Sequence, residues 1–171
     1  AVHGVLQVVD LATGEGLAEL SAAQAGAEGV AARAGEVEAL ARSALAAEVV
    51  GDAVASGRYW RELYVGTPLG GRVLEGIVDL LVDGPRGLEV VDYKTDQEED
   101  LDRVVAGYRL QGAAYAVAVE RVTGRPVERC TFLFLRRDGA VARQVGALDA
   151  AKREVEAVVG AGQPVPSIPG R

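Results

Sequence analysis

Residues 75–96 read EGIVDLLVDGPRGLEVVDYKTD, and no other stretch constrains the fold so much. Two apolar runs, GIVDLLV and LEVVDYK, flank the turn Asp83-Gly84-Pro85-Arg86-Gly87, the pattern of two paired strands. Each run carries an aspartate where a strand interior should carry no charge: Asp79 in the first and Asp92 in the second. Lys94 follows Asp92 at i+2, so on a strand the two share a face. Burying two carboxylates and an ammonium among Val, Ile and Leu is costly unless something compensates them. Neighbouring strands lie about 4.8 Å apart, close enough for both carboxylates to share one cation. Hard oxygen ligands suit Mg2+ or Mn2+, with waters and phosphate oxygens in the remaining positions. The stretch therefore predicts a hairpin built around a divalent metal and a polyanionic substrate.

The rest of the chain supplies helices around that hairpin. Apolar positions Val2, Val5, Leu6 and Val9 form a helical stripe over residues 1–11, with His3 beside it. Residues 16–33 and 36–50 predict two further helices, Gly26 and Gly29 weakening the first, so residues 1–50 form a helical part. Residues 51–57 predict a loop or a short helical turn and loop. RYWRELYVG (58–66) is an aromatic and β-branched strand run, and Thr67-Pro68-Leu69-Gly70-Gly71 a turn. Strands at 72–83 and 87–95 follow, then a long helix over 101–122 stopped by Thr123-Gly124-Arg125-Pro126. A strand at 127–136, a turn at Arg137-Asp138-Gly139, a short strand at 140–145 and a helix at 147–159 complete the core. The tail GAGQPVPSIPGR reads as loose. The order predicts one α/β domain, a central mixed sheet flanked by helices, with a core over 58–160 behind an N-terminal helical segment. At 171 residues and 49% hydrophobic, the chain can bury such a core.

Composition narrows the function. A net charge of −7 argues against tight, autonomous nucleic-acid binding through phosphate neutralisation, but not against a nuclease module that receives DNA from a neighbour. Cys130 is the sole cysteine, so neither a disulfide nor a zinc or iron–sulfur cluster is expected. No apolar run is long enough for a membrane span and no signal peptide is visible, so a cytoplasmic protein is expected. There is no Met even at position 1, which leads to the expectation of a piece of a longer chain.

On residue type alone, Lys94 can orient or deprotonate an attacking water, stabilise charge on a phosphate, or simply pair with Asp92 or Asp96. Gln111 and Tyr115 stand at i and i+4 and share a helix face. The acidic run Asp96–Asp100 suits the positive N-terminus of the next helix.

The ordered set His3, Glu62 in RYWRELYV, G-x-x-D ending at Asp79, Asp92-Tyr93-Lys94, and Gln111-x-x-x-Tyr115 resembles the PD-(D/E)xK nuclease superfamily. More narrowly it resembles the RecB/AddA-type nuclease domain at the C-terminus of bacterial helicase–nucleases. D-x-K alone is a weak signal; the ordered set, spanning residues 2 to about 135, is a strong one. The resemblance implies a restriction-endonuclease-like fold and metal-dependent hydrolysis of DNA, single-stranded at its ends. It implies Mg2+, with Mn2+ as a substitute, held by His3, Asp79, Asp92 and the Tyr93 carbonyl. Lys94, Glu62, Gln111 and Tyr115 would complete the catalytic set. It also implies helicase domains, in the same chain or in a partner protein, and a role in DNA end processing and recombinational repair. The alternatives are a catalytically silent end-binding or structural module, and a stand-alone Cas4-like nuclease. The family's iron–sulfur branch needs four cysteines and is not matched here.

Overall fold

In the computed structural model, which describes residues 1–161 and 163, the two central runs are antiparallel strands. Twelve elements follow in order, counting one 3-10 turn. They are α1 (Val2–Val8), α2 (Leu17–Ala27), the 3-10 turn Ala31–Arg33, α3 (Ala34–Leu45), α4 (Glu48–Ser56), β1 (Tyr59–Leu69), β2 (Arg72–Gly84), β3 (Gly87–Lys94), α5 (Leu101–Thr123), β4 (Val127–Phe134), β5 (Val141–Gln144) and α6 (Leu148–Gly160). The strands form one sheet in the order β1-β2-β3-β4-β5. All neighbours are antiparallel except β3 and β4, which run parallel because α5 crosses between them. This is the mixed sheet flanked by helices that the sequence predicts.

The sheet separates two apolar layers. On one side Val78, Leu81, Leu88, Val90, Phe132 and Phe134 pack against α5 and α6. On the other, Leu80, Val82, Val91, Leu133 and Leu135 pack against the N-terminal helices, including Val5, Leu6, Leu40 and Val50. Helix α5 approaches β4 closely because its inner face is small. A Cβ on Gly112 would sit 2.7 Å from Cys130 Sγ and 3.0 Å from both Phe132 Cζ and Val145 Cγ2.

Several boundaries differ from expectation. The helix expected over 16–33 ends at Ala27, and Ala31–Arg33 form a separate 3-10 turn. The single helix expected over 36–50 ends at Leu45, and of the stretch 51–57, expected as a loop or a short helical turn and loop, 51–56 belong to α4. Ala47 is extended (φ −73°, ψ 140°), and the break turns Val49, Val50 and Ala53 onto the sheet. The turn expected at 67–71 narrows to Gly70-Gly71, both at positive φ (58° and 76°) between the paired Leu69 and Arg72, the geometry of a two-residue hairpin turn. Pro68 is accommodated because β1 is an edge strand. Of the tail expected to be loose, 160–171, Gly160 instead closes α6 and Ala161 caps it; apart from these and Gln163 it lies outside the described residues.

The strands also reverse their faces at one point. Val78 belongs to the α5 layer, but Leu80, two residues on, belongs to the N-terminal layer. On β1, Tyr59 packs against the N-terminal layer and Leu63 against the α5 layer. In a regular strand each pair would share a side. The ladder pairs Arg61 with Leu80 and Leu63 with Val78, and between them stand Glu62 and Asp79. Glu62 carries the reversal in its backbone, with φ 51°.

Candidate active site

Asp79 sits at that reversal. The β2–β3 ladder ends at Leu80–Val91; one step further in the same register, Asp79 faces Asp92. β3 continues against β4 as far as Lys94–Phe134, so Asp92-Tyr93-Lys94 is held rigidly where β2 departs. Both carboxyls are buried, 6% and 7% exposed, and within hydrogen-bonding reach of each other. The Tyr93 N–H donates to Asp79 Oδ2 at 2.7 Å, so the carboxylate takes the acceptor place that β2 vacates.

Side chains arrive from both layers. From the N-terminal layer, α1 brings His3, whose Nε2 lies 3.0 Å from the Tyr93 carbonyl and 3.5 Å from Asp79 Oδ2. Arg61 ties that helix to β1 by donating from Nη1 to the carbonyls of Leu6 (3.1 Å) and Val9 (2.6 Å). On the α5 side, Lys94 Nζ lies 2.7 Å from Asp92 Oδ2 and 3.3 Å from Gln111 Oε1. The ammonium also stands 4.2 Å from the centroid of the Tyr108 ring. Asp92 Oδ2 is buried and has no hydrogen-bond partner besides this ion pair.

The electrostatics follow from this arrangement. Burial pushes the Asp92 carboxyl up to about 7, and the neighbouring Asp79 adds to the rise while Lys94 opposes it. Burial also acts to raise Asp79, but His3 and the Tyr93 N–H outweigh it and hold that carboxyl below its usual range. The pair therefore keeps one proton to near-neutral pH, and Asp92 holds it.

His3, Asp79, Asp92, Tyr93, Lys94, Gln111 and Tyr115 all line one cavity of about 540 Å3. Glu62 does not line it; it and Asp79 fall in the gap between the Arg61–Leu80 and Leu63–Val78 pairs of the ladder. Sequence reasoning omitted Glu75, Ile77 and Asp96 from the candidate set, and these line the cavity too. Tyr108 lines it as well; helical spacing, three residues before Gln111, was the signal for that ring. The signal for Glu75 was a third acid in the same β2 run.

Among the described residues no three His, Cys, Asp or Glu side chains already surround a common point. The donor set nevertheless suits a divalent cation. Two carboxylates, a backbone carbonyl and an imidazole nitrogen converge, and one buried Asp92 oxygen lacks a hydrogen bond.

Comparison with known proteins gives a consistent result. The chain matches the PD-(D/E)XK nuclease superfamily over residues 1–163. An ATP-dependent helicase/nuclease subunit from Clostridioides difficile (strain 630) is 38% identical over 65 residues, 36% of this chain and 5% of the relative. The protein of the same name from Alkaliphilus oremlandii (strain OhILAs) is 40% identical over 65 residues, 37% of this chain and 5% of the relative. The matched stretch is thus about a twentieth of those relatives' length. A solved structure named as a candidate exonuclease, from Eubacterium rectale, aligns with a TM-score of 0.49 at 16% identity, covering 85% of this chain and 64% of that one.

Proposed function

We propose that this chain, which belongs to the PD-(D/E)XK nuclease superfamily, is a Mg2+-dependent deoxyribonuclease module acting on single-stranded DNA ends. The observation that carries the reading is the buried pair Asp79 and Asp92, opposed across two strands at the wall of an open cavity, with Lys94 as the ammonium paired to Asp92. Without a cation this pair keeps a proton up to near-neutral pH.

Asp79, Asp92, His3 and the Tyr93 carbonyl would hold the cation, which when bound neutralises phosphate charge and acidifies water. Lys94, fixed by Asp92 and Gln111, directs its ammonium into the same cavity, where it orients water or stabilises charge on the phosphate. Gln111 fixes Lys94, and Tyr115 offers a hydroxyl from the next turn of α5. Glu62 holds the backbone reversal that presents Asp79. His3 contributes as neutral imidazole, so acid competes with the cation at Nε2.

The helicase/nuclease relatives support a place beside helicase domains, in the same chain or in a partner protein; DNA end processing and recombinational repair are the processes such a module would serve. A single domain over residues 1–171, helical to residue 50 and catalytic over 58–160, is the corresponding organisation. The test is cleavage of end-labelled single strands with and without Mg2+. Metal-dependent cleavage that disappears in Asp92→Ala is expected. Unchanged cleavage in that variant, or no metal response in the unmodified chain, rejects the reading.

A further inference from the structure

Beyond the acidic centre, the β1–β2 hairpin exposes apolar side chains on the side facing away from α5. Leu63, Val65, Leu69, Leu74 and Val78 pack into the α5 layer, so the alternate positions face the other way. There Tyr64 stands directly opposite Ile77, and Pro68 opposite Val73. Tyr64 is 62% exposed and Ile77 44%, although both belong to a paired strand interior.

The Tyr64 ring is not loose. Its hydroxyl donates to Glu75 Oε2 at 2.6 Å. It also lies across Gly66, where a Cβ would meet the Tyr64 hydroxyl oxygen at 3.1 Å and Cε1 at 3.3 Å. One part of the ring therefore rests on backbone while the remainder faces solvent. This flat surface runs into the candidate active site: Glu75 and Ile77 line the same cavity as Asp79 and His3. Ile77 precedes Asp79 by two residues, about 7 Å along the strand.

We propose that Tyr64, with Ile77 at the cavity rim, is a stacking platform for an unpaired nucleobase of the strand whose phosphate enters the cavity. The proposal rests on the nuclease reading and deepens it by assigning residues to strand recognition. With a net charge of −7, phosphate neutralisation is a poor source of affinity for this chain. Stacking on an aromatic face does not need positive charge, and it tolerates any base. A base in a duplex is already stacked on both sides, so the platform selects single strands and frayed ends. Gly66 is part of the device, because a larger residue there would lift the ring.

The experiment measures binding of the 171-residue chain to labelled oligothymidylate in Ca2+, by fluorescence anisotropy. An abasic sugar–phosphate oligomer of equal length and charge is the comparison. The unmodified chain is expected to prefer the base-bearing strand by roughly 5- to 100-fold, the value of one stacked base. Tyr64→Ser is expected to abolish that preference, and Tyr64→Trp to retain it, with melting temperature reporting that both fold. If Tyr64→Ser weakens both oligomers equally, the ring has no base to recognise and the platform is wrong. If binding is unchanged while Mg2+-dependent cleavage persists, the platform fails and the nuclease reading stands. Unchanged binding with altered sedimentation assigns the face to a protein contact, again rejecting the platform. If the unmodified chain neither binds nor cuts DNA, both fall.

Discussion

Replacing Asp92 by Asn should stabilise the metal-free protein at alkaline pH while destroying its activity. Asp92 is 7% exposed, and burial raises its carboxyl from 3.8 to about 7. The folded state therefore binds this proton more tightly than the unfolded chain, by roughly a thousandfold, which is about 4 kcal/mol. That stability is fully present below about pH 4 and is lost as pH rises through 7. At pH 8 the unmodified protein must carry a buried carboxylate beside Asp79, offset in part by Lys94. Asn is nearly isosteric with the protonated acid and does not titrate. In EDTA at pH 8 the variant should thus gain up to about 4 kcal/mol; at 2–4 °C per kcal/mol for a chain of this size, the ceiling is about 8–16 °C in Tm. Near pH 4 the two should melt together. Saturating Mg2+ should narrow the gap at pH 8, because it stabilises only the protein that can hold it, by about 3 kcal/mol at a hundredfold excess over Kd. Differential scanning calorimetry across pH 4–9, with EDTA and with Mg2+, reads all of this. An Asp92→Asn variant that melts below the unmodified protein at pH 8 in EDTA would refute the account of the carboxylate pair.

Lys94→Ala should lower kcat by about 10²–10⁴-fold in single-turnover assays while leaving the Mg2+-induced rise in Tm in place, because Lys94 is not a metal ligand. His3→Ala should raise the Mg2+ concentration for half-maximal activity by about tenfold or more. In the unmodified protein, metal affinity should fall as the pH drops, because a proton competes with the cation for the imidazole nitrogen, and that component should vanish in His3→Ala. Gly112→Ala should cost about 1–3 kcal/mol by chemical denaturation, since the added methyl would meet Cys130, Phe132 and Val145 at contact distances too short to accept. A neutral Gly112→Ala would show that α5 can slide on β4.

Much of the architecture could be read from the sequence because its signals are local. Two apolar runs around Asp83–Gly87 can hardly be anything but paired strands, and the α5 stripe ends at a clear stop, Gly124 at φ 68°. The residues brought to one cavity were likewise visible as odd charges in apolar runs or as helical spacings. What escaped notice depends on tertiary geometry. Strand alternation gives no warning that β1 and β2 change sides at Glu62 and Asp79, so it cannot say which residues of RYWRELYV face the site. Tyr64 read as one more residue of an aromatic and β-branched strand run; only the structure shows it exposed and laid over Gly66. The break at Ala47 was hidden because alanine favours helix and only the sheet surface demands the turn.

The face reversal at Glu62 and Asp79 has a further result. It draws the cavity's components from both halves of the molecule: His3 from the N-terminal layer, Lys94 and Gln111 from the α5 layer. A chain emerging from synthesis acquires His3 first and α5 much later. The candidate site is therefore complete only where both layers are packed on the sheet, and loosening either one would disperse it.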